Sequence, residues 1–361
     1  MLPRCNPGLE KLFSLTGITF TVSCAQQSLN RLASLMRISI AMGSYNGAAY
    51  LPEQLDSIAR QTRRPDELIV CDDCSIDSTT AIVAEFARRA PMPVKLHINE
   101  RNLGSTKNFE RAIAACTGDI IAICDQDDVW RNDKLQLIKD AFARAPMAGL
   151  VFSDAEIVDE NLNPLGRRMW AERGLNSRQK KLFANGRALD VLLPGWTVTG
   201  ATMAFGAEYK DLVLPIPAEI SLIHDGWIAL VIAAVAEVSL IAEPLVQYRQ
   251  HGGQQVGAPL KQRQRPGPLQ AIDAGLRRTT SYADLLLTLT TLRQRLTTHQ
   301  DSFECRAAFS SIENYARHID ARSHLRHGRL GRLPTIIREV MGLRYHRYSK
   351  GFRSAVKDLV S

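Results

Sequence analysis

The chain has 361 residues, 45% of them hydrophobic and 6% aromatic, a globular composition that excludes disordered, collagen-like and coiled-coil proteins. That length allows one large domain, or one domain with an appendage. The net charge of +8 belongs to the C-terminal segment, because residues 261–361 hold 19 Lys and Arg against 8 Asp and Glu. Such a segment suits an anionic surface such as a membrane or a nucleic acid.

Residues 1–36 precede the first strand-like run, and nothing in them matches a site element. Residues 12–25 follow basic residues and resemble a weak secretory signal, but Thr and Gly dilute their apolar character. We therefore expect a disordered upstream extension and predict that a chain starting at Met36 folds and works.

From residue 37 the sequence alternates short β-branched runs with amphipathic segments. Strands are predicted over 37–42, 67–72, 93–98 and 119–125, and helices over 50–61, 77–89, 105–116 and 132–144. This βαβ repetition predicts an α/β fold with a mostly parallel sheet covered by helices. Ligands of such sheets bind at the carboxyl ends of the strands.

The alternation loosens after residue 148. Strands are predicted at 148–153, 199–205 and 237–241, a helix at 226–236, a loop at 252–259, and basic helices at 268–298, 302–321 and 333–359. The longest apolar run, 228–236, is far shorter than the roughly 20 residues that span a bilayer. No transmembrane helix is therefore predicted.

The seven cysteines are scattered and odd in number, so we expect a reducing cytosol rather than a disulfide framework. Cys71 and Cys74 form a lone pair with no histidines at ligand spacing. Packing at a strand end is favoured for them over zinc or redox chemistry.

Three carboxylates, Asp125, Asp127 and Asp128, follow the fourth predicted strand within four residues. Carboxylates that converge at a strand end repel one another unless a cation neutralises them. Mg²⁺ or Mn²⁺, held by one or two carboxylates together with substrate phosphates, fits this pattern. The alternative is that one Asp caps the next helix and the others are solvated.

A second acidic pair, Asp72 and Asp73, ends the strand 67–72, and Asp77 and Ser78 stand at the following helix start. A helix N-terminus at a strand end suits an anion, and an Asp side chain can accept a hydrogen bond from a base imide. Helix capping explains part of this pattern equally well. The dinucleotide and P-loop phosphate signatures do not occur in the sequence.

Over residues 37–256 the sequence resembles the inverting family 2 glycosyltransferases of the GT-A fold, especially rhamnosyltransferase-like enzymes of bacterial surface polysaccharides. The resemblance rests on SIAMGSYNG (39–47), PDELIVCDDCSIDST (65–79), NERNLG (99–104), GDIIAICDQDDVW (118–130), HDGW (224–227) and YRQHG (248–252). It implies a GT-A domain over 37–256, a Rossmann-like mixed, mostly parallel sheet flanked by helices, and leaves 257–361 as a basic helical appendage.

The resemblance also implies roles for individual residues. The implied donor-binding residues are Ser44, Tyr45, Asn46, Asp73, Asn102, Gly104, Asp125 and His251. Asp127 is implied as the ligand of Mg²⁺ or Mn²⁺, with His251 beside the metal and the diphosphate. Asp128 and Trp227 are implied contacts of the sugar or acceptor, and Asp225 is the implied general base.

The chemistry supports two of these roles independently. Displacing a nucleoside diphosphate from an anomeric carbon requires neutralisation of the leaving group and deprotonation of the attacking hydroxyl, tasks for a metal and a carboxylate. The alternative for Asp225 is a helix N-cap. For Trp130 and Trp227 the alternative to sugar stacking is core packing.

The predicted function is inverting, metal-dependent transfer of one sugar, with dTDP-rhamnose as a candidate donor, to a glycan or lipid-linked acceptor in the cytoplasm. Gly226 and Gln254 depart from residues common in the family, which leaves the acceptor pocket open. A sugar nucleotidyltransferase is an alternative, although a glycine-rich phosphate loop is missing from residues 41–50. A noncatalytic glycan or nucleic-acid binding protein would explain the basic segment but not the carboxylates.

The basic segment includes residues 334–350, where Ile336, Ile337, Val340 and Leu343 are predicted to share one helix face bordered by arginines. Such a helix can lie on an anionic bilayer at the inner face of the plasma membrane. The alternative is that these helices pack on the catalytic domain or form a dimer. Nucleic-acid binding is not expected, because no recognised fold motif accompanies the charge.

Overall fold

The computed structural model describes residues 36–252, except Trp196, and residues 281–360, except Ser302, Glu304 and residues 326–327. The predicted extension, apart from Met36, and the predicted loop after Gly252 lie outside these ranges.

One half of the sheet is parallel and carries the predicted βαβ order. Its strands are β1 (Ile38–Ser44), β2 (Glu67–Asp72), β3 (Val94–Ile98) and β4 (Ile120–Cys124), and the intervening helices are α1 (Leu51–Ala59), α2 (Thr79–Arg89) and α3 (Ser105–Ala115). Every residue of β1, β2 and β4 is buried. Burial on both faces explains why these strands read as continuous apolar runs.

The other half of the sheet is mixed. It contains β5 (Val129–Trp130), β6 (Ala148–Val158), β7 (Pro164–Arg168), β8 (Met203–Gly206) and β9 (Glu237–Arg249). The strand order is β3-β2-β1-β4-β8-β6-β9-β5, with β7 paired to β6. Strand β8 is antiparallel to both β4 and β6, whereas β9 runs parallel to β6.

Helices and short turns cover this half of the sheet. They are α4 (Lys134–Arg144), α5 (Met169–Glu172), α6 (Ser177–Ala184), α7 (Ala188–Leu192), α8 (Lys210–Val213) and α9 (His224–Ala233). The predicted strand 199–205 is wrong at its start, because a 3-10 turn over Gly200–Thr202 precedes β8. The predicted strand 237–241 is too short, since β9 continues to Arg249.

The described residues after 281 form five helices: α10 (Tyr282–Thr298), α11 (Arg306–Ser323), α12 (Arg329–Met341), α13 (Arg344–Tyr348) and α14 (Phe352–Val360). The region predicted to be helical over 333–359 is helical but interrupted. Leu343 and Gly351 have φ of +55° and +60°, a left-handed conformation that ends a helix. Chain reversals at these two residues therefore divide the segment into three short helices.

The helices α10 and α11 are part of the main core. Leu292 and Leu296 of α10 and Ile312 of α11 are buried in the same apolar cluster as Trp227 and Ile228 of α9. The described residues from Arg37 onward belong to one compact unit. None of the described helices is long and apolar enough to cross a membrane.

Candidate active site

A cleft of about 600 Å³ opens at the carboxyl ends of β1, β2 and β4. Parallel strands present their carboxyl ends at one sheet edge, which is why residues distant in sequence meet there. Eight of the predicted site residues line this cleft: Ser44, Tyr45, Asn46, Asp73, Asp125, Asp127, Asp225 and His251.

The loops after β1 and β2 are joined by hydrogen bonds around Asp72. Its carboxylate accepts from the hydroxyls of Ser44 (2.9 Å) and Ser75 (2.6 Å), and Ser75 in turn accepts from the Asn46 backbone N–H (2.8 Å). Asn46 has a φ of +45°, which Asn tolerates better than most residues. Asp72 thus fixes the loop that presents Tyr45, a role that its position in the sequence did not reveal.

Asp73 is held from behind by the loop that precedes α3. Its carboxylate accepts from the backbone N–H groups of Leu103 (2.7 Å) and Gly104 (2.8 Å) and from the Asn99 amide (2.7 Å). Asn102 accepts a further bond from the Gly104 N–H (3.1 Å). Asn102 and Gly104 therefore position Asp73 and do not themselves line the cleft.

Gln126 connects the two sides of the cleft and was not among the predicted site residues. Its amide both accepts from the Tyr45 N–H (2.9 Å) and donates to the Tyr45 carbonyl (3.0 Å). A Cβ at position 47 would lie 2.0 Å from the Gln126 oxygen. Glycine at position 47 is what permits this close approach.

Carboxylates concentrate at the end of β4. Burial, followed by the charges of Asp127 and Asp225, raises the pKa of Asp125 to about 8. The Asp127 carboxylate contacts Nε2 of His251 at 2.9 Å. The chain thus brings His251 to the acidic cluster from 124 positions away.

Asp128 lies beneath the cleft and is completely buried. One carboxylate oxygen accepts from the Arg249 N–H (3.0 Å), and the other has no hydrogen-bond partner among the described residues. Burial, and then the charges of Asp127 and Asp125, raises the pKa of Asp128. This placement does not fit the predicted direct contact with sugar.

Arg249 holds the acidic loop in place, although nothing in its sequence motif distinguishes it from its neighbours. Its guanidinium donates to the Asp127 carbonyl (2.7 Å) and the Glu160 carbonyl (2.5 Å) and pairs with Glu53. It also lies over the Tyr50 ring, 4.6 Å from the centroid. The end of β9 is thereby fixed to the loop that follows β4.

Lys134 is a fully buried cation near the same cluster. Its Nζ donates to the Ala201 carbonyl (2.6 Å) and lies 3.6 Å from the centroid of the Trp130 ring. Burial lowers the pKa of Lys134 to about 7, opposed by the charges of Cys124, Asp128 and Asp125. In the sequence Lys134 is only a lysine in the first turn of an amphipathic helix, and this pattern does not indicate that it is buried near the acidic cluster.

Asp225 stands in the first turn of α9 and lines the same cleft. Its carboxylate accepts from the N–H groups of Gly200 (3.0 Å) and Gly226 (2.6 Å). The N-cap position itself is occupied by Ile223. The preceding His224 stacks on Phe109 with ring centroids 4.0 Å apart, and burial lowers its pKa to about 3.

Two predicted roles of aromatic and sulfur residues are resolved by burial. Trp227 is fully buried, and its indole N–H donates to the Val213 carbonyl (2.9 Å). The predicted sugar or acceptor contact of Trp227 is therefore wrong, and core packing accounts for this residue. Cys71 is buried at its strand end, and burial raises the pKa of its thiol to about 11.

The donor set of the cleft fits Mg²⁺ or Mn²⁺ better than a metal enclosed by protein. Among the described residues, no three His, Cys, Asp or Glu side chains gather closely enough to enclose a metal. Asp127 and His251 nevertheless contact one another in the lining of the cleft. One or two protein ligands completed by substrate phosphates is the arrangement that Mg²⁺ prefers.

A comparison with known families and proteins gives consistent matches. Residues 39–191 match the family model for glycosyl transferase family 2. An uncharacterized glycosyltransferase of Nostoc sp. is 29% identical over 60% of this chain and 66% of its own length. An uncharacterized Mycobacterium tuberculosis protein is 35% identical over an aligned region that covers 34% of this chain and 36% of that relative's length.

A dTDP-rhamnosyl transferase of Shigella flexneri, RfbG, is 29% identical over 60% of this chain and 74% of its own length. Among solved structures, Staphylococcus aureus TarS 1–349 in complex with UDP superimposes with a TM-score of 0.52. That match covers 80% of this chain and 71% of TarS 1–349 at 18% identity, so it supports the fold.

Proposed function

We propose that this chain is a glycosyltransferase of family 2 with the GT-A fold and that it transfers one sugar from a nucleotide-diphosphate donor to a hydroxyl group. The acceptor is a glycan or a lipid-linked glycan of bacterial surface polysaccharide biosynthesis. A lipid-linked acceptor would place the enzyme at the inner face of the plasma membrane. The name of the Shigella relative makes dTDP-rhamnose the first donor to test.

The observation that carries this proposal is the division of one cleft into two kinds of wall. On one side Tyr45 and Asp73 lie on loops fixed by hydrogen bonds. On the other side Asp127, Asp225 and His251 present acidic and basic groups to the same space. A cleft of this kind can hold a donor at one end and perform proton transfer at the other.

The side of the cleft formed by Tyr45 and Asp73 is proposed to recognise the donor. The Tyr45 ring is partly exposed and can stack on a nucleobase, since aromatic faces pair favourably. The Asp73 carboxylate keeps lone pairs for a base or ribose donor, because an ionised carboxylate accepts about four hydrogen bonds and three are already made. Ser44 and Asn46 line the pocket between them.

Asp127, with His251 beside it, would hold Mg²⁺ or Mn²⁺ against the diphosphate. When bound, the cation neutralises the charge that develops on the leaving diphosphate. Asp127 supplies the hard oxygen ligand that these cations prefer. Arg249 keeps the Asp127 backbone in place through its bond to the carbonyl.

Asp225 is proposed as the general base. The acceptor oxygen forms a bond to the anomeric carbon as the bond from that carbon to the diphosphate breaks, and the hydroxyl proton passes to the Asp225 carboxylate. The Gly200 and Gly226 N–H groups hold the carboxylate in one orientation. A single in-line displacement of this kind inverts the anomeric configuration.

The test is a screen of sugar nucleotides, including dTDP-rhamnose, UDP-glucose and GDP-mannose, for release of nucleoside diphosphate in the presence of Mn²⁺. We expect one donor to be hydrolysed slowly and preferentially. Release of pyrophosphate from a sugar phosphate and a nucleoside triphosphate would instead identify a nucleotidyltransferase. Glycan binding without turnover of any donor would identify a noncatalytic protein.

A further inference from the structure

The helix α12 exposes a row of apolar side chains to solvent. Leu330, Ile337 and Met341 are each between 52% and 84% exposed. Their spacing of seven and four residues places them on one face of the helix. The face predicted from sequence is wrong, because Ile336 is buried and Val340 packs beside it in the core of this helical segment.

The helix α14 carries a second row. Phe352, Val356 and Val360 are each more than half exposed and follow one another at intervals of four residues, which is helical spacing for one face. Helices α12 and α14 pack against each other. Single exposed apolar residues are ordinary, but two apolar rows on helices that pack against each other call for a partner.

These rows are exposed although the segment has a core of its own. Ile336, Tyr345 and Ala355, one from each of the three helices, are buried together. The Tyr345 hydroxyl also donates to the Asp358 carboxylate (2.7 Å). The outward rows are therefore a property of the packed segment and not of an unformed one.

The charges around the rows are of one sign. The segment 328–360 contains two carboxylates, Glu339 and Asp358, and both are buried. Glu339 is paired with Arg344 at 2.6 Å, and Asp358 with Arg322 at 2.6 Å. With both anions withdrawn, the described exposed charges of this segment are cationic.

Three of the exposed cations lie close in sequence to the apolar rows: Arg338, Lys350 and Arg353. A surface that combines exposed apolar rows with cations is complementary to one that is apolar inside and anionic outside. An anionic lipid bilayer has that structure, and amphipathic helices rich in Lys and Arg lie in its interface.

We propose that the outward faces of α12 and α14 dock onto an anionic lipid bilayer, with the helices lying in the interfacial plane. This inference goes beyond sugar transfer and does not require the proposed reaction. A second copy of the chain fits less well, because two such surfaces would bring their cations together.

The test is flotation of the full-length protein with vesicles of phosphatidylglycerol and phosphatidylcholine, compared with phosphatidylcholine alone. We expect binding to the anionic vesicles, at least tenfold weaker binding to neutral ones, and loss of binding at high salt. One variant removes apolar side chains (Leu330→Ser, Met341→Ser and Val356→Ser). A second removes charge (Arg338→Gln, Lys350→Gln and Arg353→Gln). Each should reduce partitioning at least tenfold.

Matched controls alter exposed residues of the same kinds elsewhere on the surface. They are Ile98→Ser with Met147→Ser, and Arg60→Gln with Arg88→Gln and Arg89→Gln. These variants should float like the wild type, and circular dichroism melts should show that all variants are folded.

Several results would overturn the proposal. They are failure of the wild type to float with anionic vesicles, equal binding to both vesicle types, and equal losses in the control variants. Dimers that dissociate in the apolar variant, without any change in flotation, would assign the patch to a second copy. Donor hydrolysis measured on the same proteins separates this test from the proposed reaction, since Asp225→Asn should still float.

Discussion

Two pairs of aspartates stand at the ends of β2 and β4, the strands on either side of β1, yet they occupy opposite electrostatic environments. Asp72 ends β2 and Asp73 follows it, and each accepts three hydrogen bonds from hydroxyl, amide or backbone donors. Asp125 and Asp128 follow β4, where burial and neighbouring carboxylates raise their pKa. The carboxylates at the end of β2 thus have hydrogen-bond donors around them, whereas the carboxylates after β4 have other carboxylates nearby.

The difference indicates what each pair does. A carboxylate whose hydrogen bonds are made within the protein stabilises a loop and presents a fixed acceptor to a ligand. Carboxylates left to repel one another lower stability unless a ligand supplies positive charge. We therefore propose that the β2 end of the cleft recognises the donor and that the β4 end binds a cation together with the diphosphate.

The largest effect is expected from Asp127→Ala, which removes the carboxylate that lies between Asp125 and Asp128 in sequence and lines the cleft. Transfer should fall by about 10³ or more, because a cation at a phosphoryl group supplies several kcal/mol of charge stabilisation. Steady-state turnover of the donor identified by the screen measures this effect. Wild-type turnover in the variant would show that the β4 carboxylates do not hold the cation.

A somewhat smaller loss is expected from Asp225→Asn, which alters the proposed base on the same wall as Asp127. The amide can still occupy the site near Gly200 but cannot take a proton, so turnover should fall by roughly 10² while donor binding is kept. Asp211→Asn, at an exposed position of α8, is the control. The anomeric configuration of the product, determined by NMR, should be inverted, and a retained configuration would refute the assignment of the base.

The smallest effect is expected from Asp73→Asn on the recognition side. An amide can accept at only one of its two ends, so the Leu103 and Gly104 N–H groups cannot both keep their partner. The donor KM should rise about tenfold, which corresponds to one or two weakened hydrogen bonds, with little change in kcat. Asp140→Asn on α4 serves as the control. A fall in kcat at unchanged KM would mean that the two walls are not functionally distinct.

The recognition side was also the more predictable side from sequence. Strands β1 to β4 and their helices were located within a few residues, because strands buried on both faces and amphipathic helices leave strong local patterns. Strand β5 has two residues, too few to show a period. The breaks after α12 and α13 depend on the left-handed backbone at Leu343 and Gly351. A leucine in the sequence does not indicate that conformation.

For the site, the sequence motifs indicate which residues are candidates. They do not indicate which other residues position those side chains. The convergence of Asp127 with His251 depends on the path of β9 across the sheet, which a local pattern does not specify. Trp227 is buried and does not line the cleft. The sequence motif around it would be the same whether the tryptophan were buried or exposed to a ligand. Lys134 and Asp72 are buried next to the site. In the sequence they mark only the start of a helix and the end of a strand.

The most direct test of the contrast between the two carboxylate pairs is calorimetric titration of Mn²⁺ into metal-free protein, with and without the nucleoside diphosphate of the preferred donor. We predict one Mn²⁺ per chain, bound at least tenfold more tightly when the diphosphate is present, with this binding lost in Asp127→Ala and kept in Asp73→Asn. Full activity after treatment with EDTA, or identical Mn²⁺ binding by wild type and Asp127→Ala, would contradict the account.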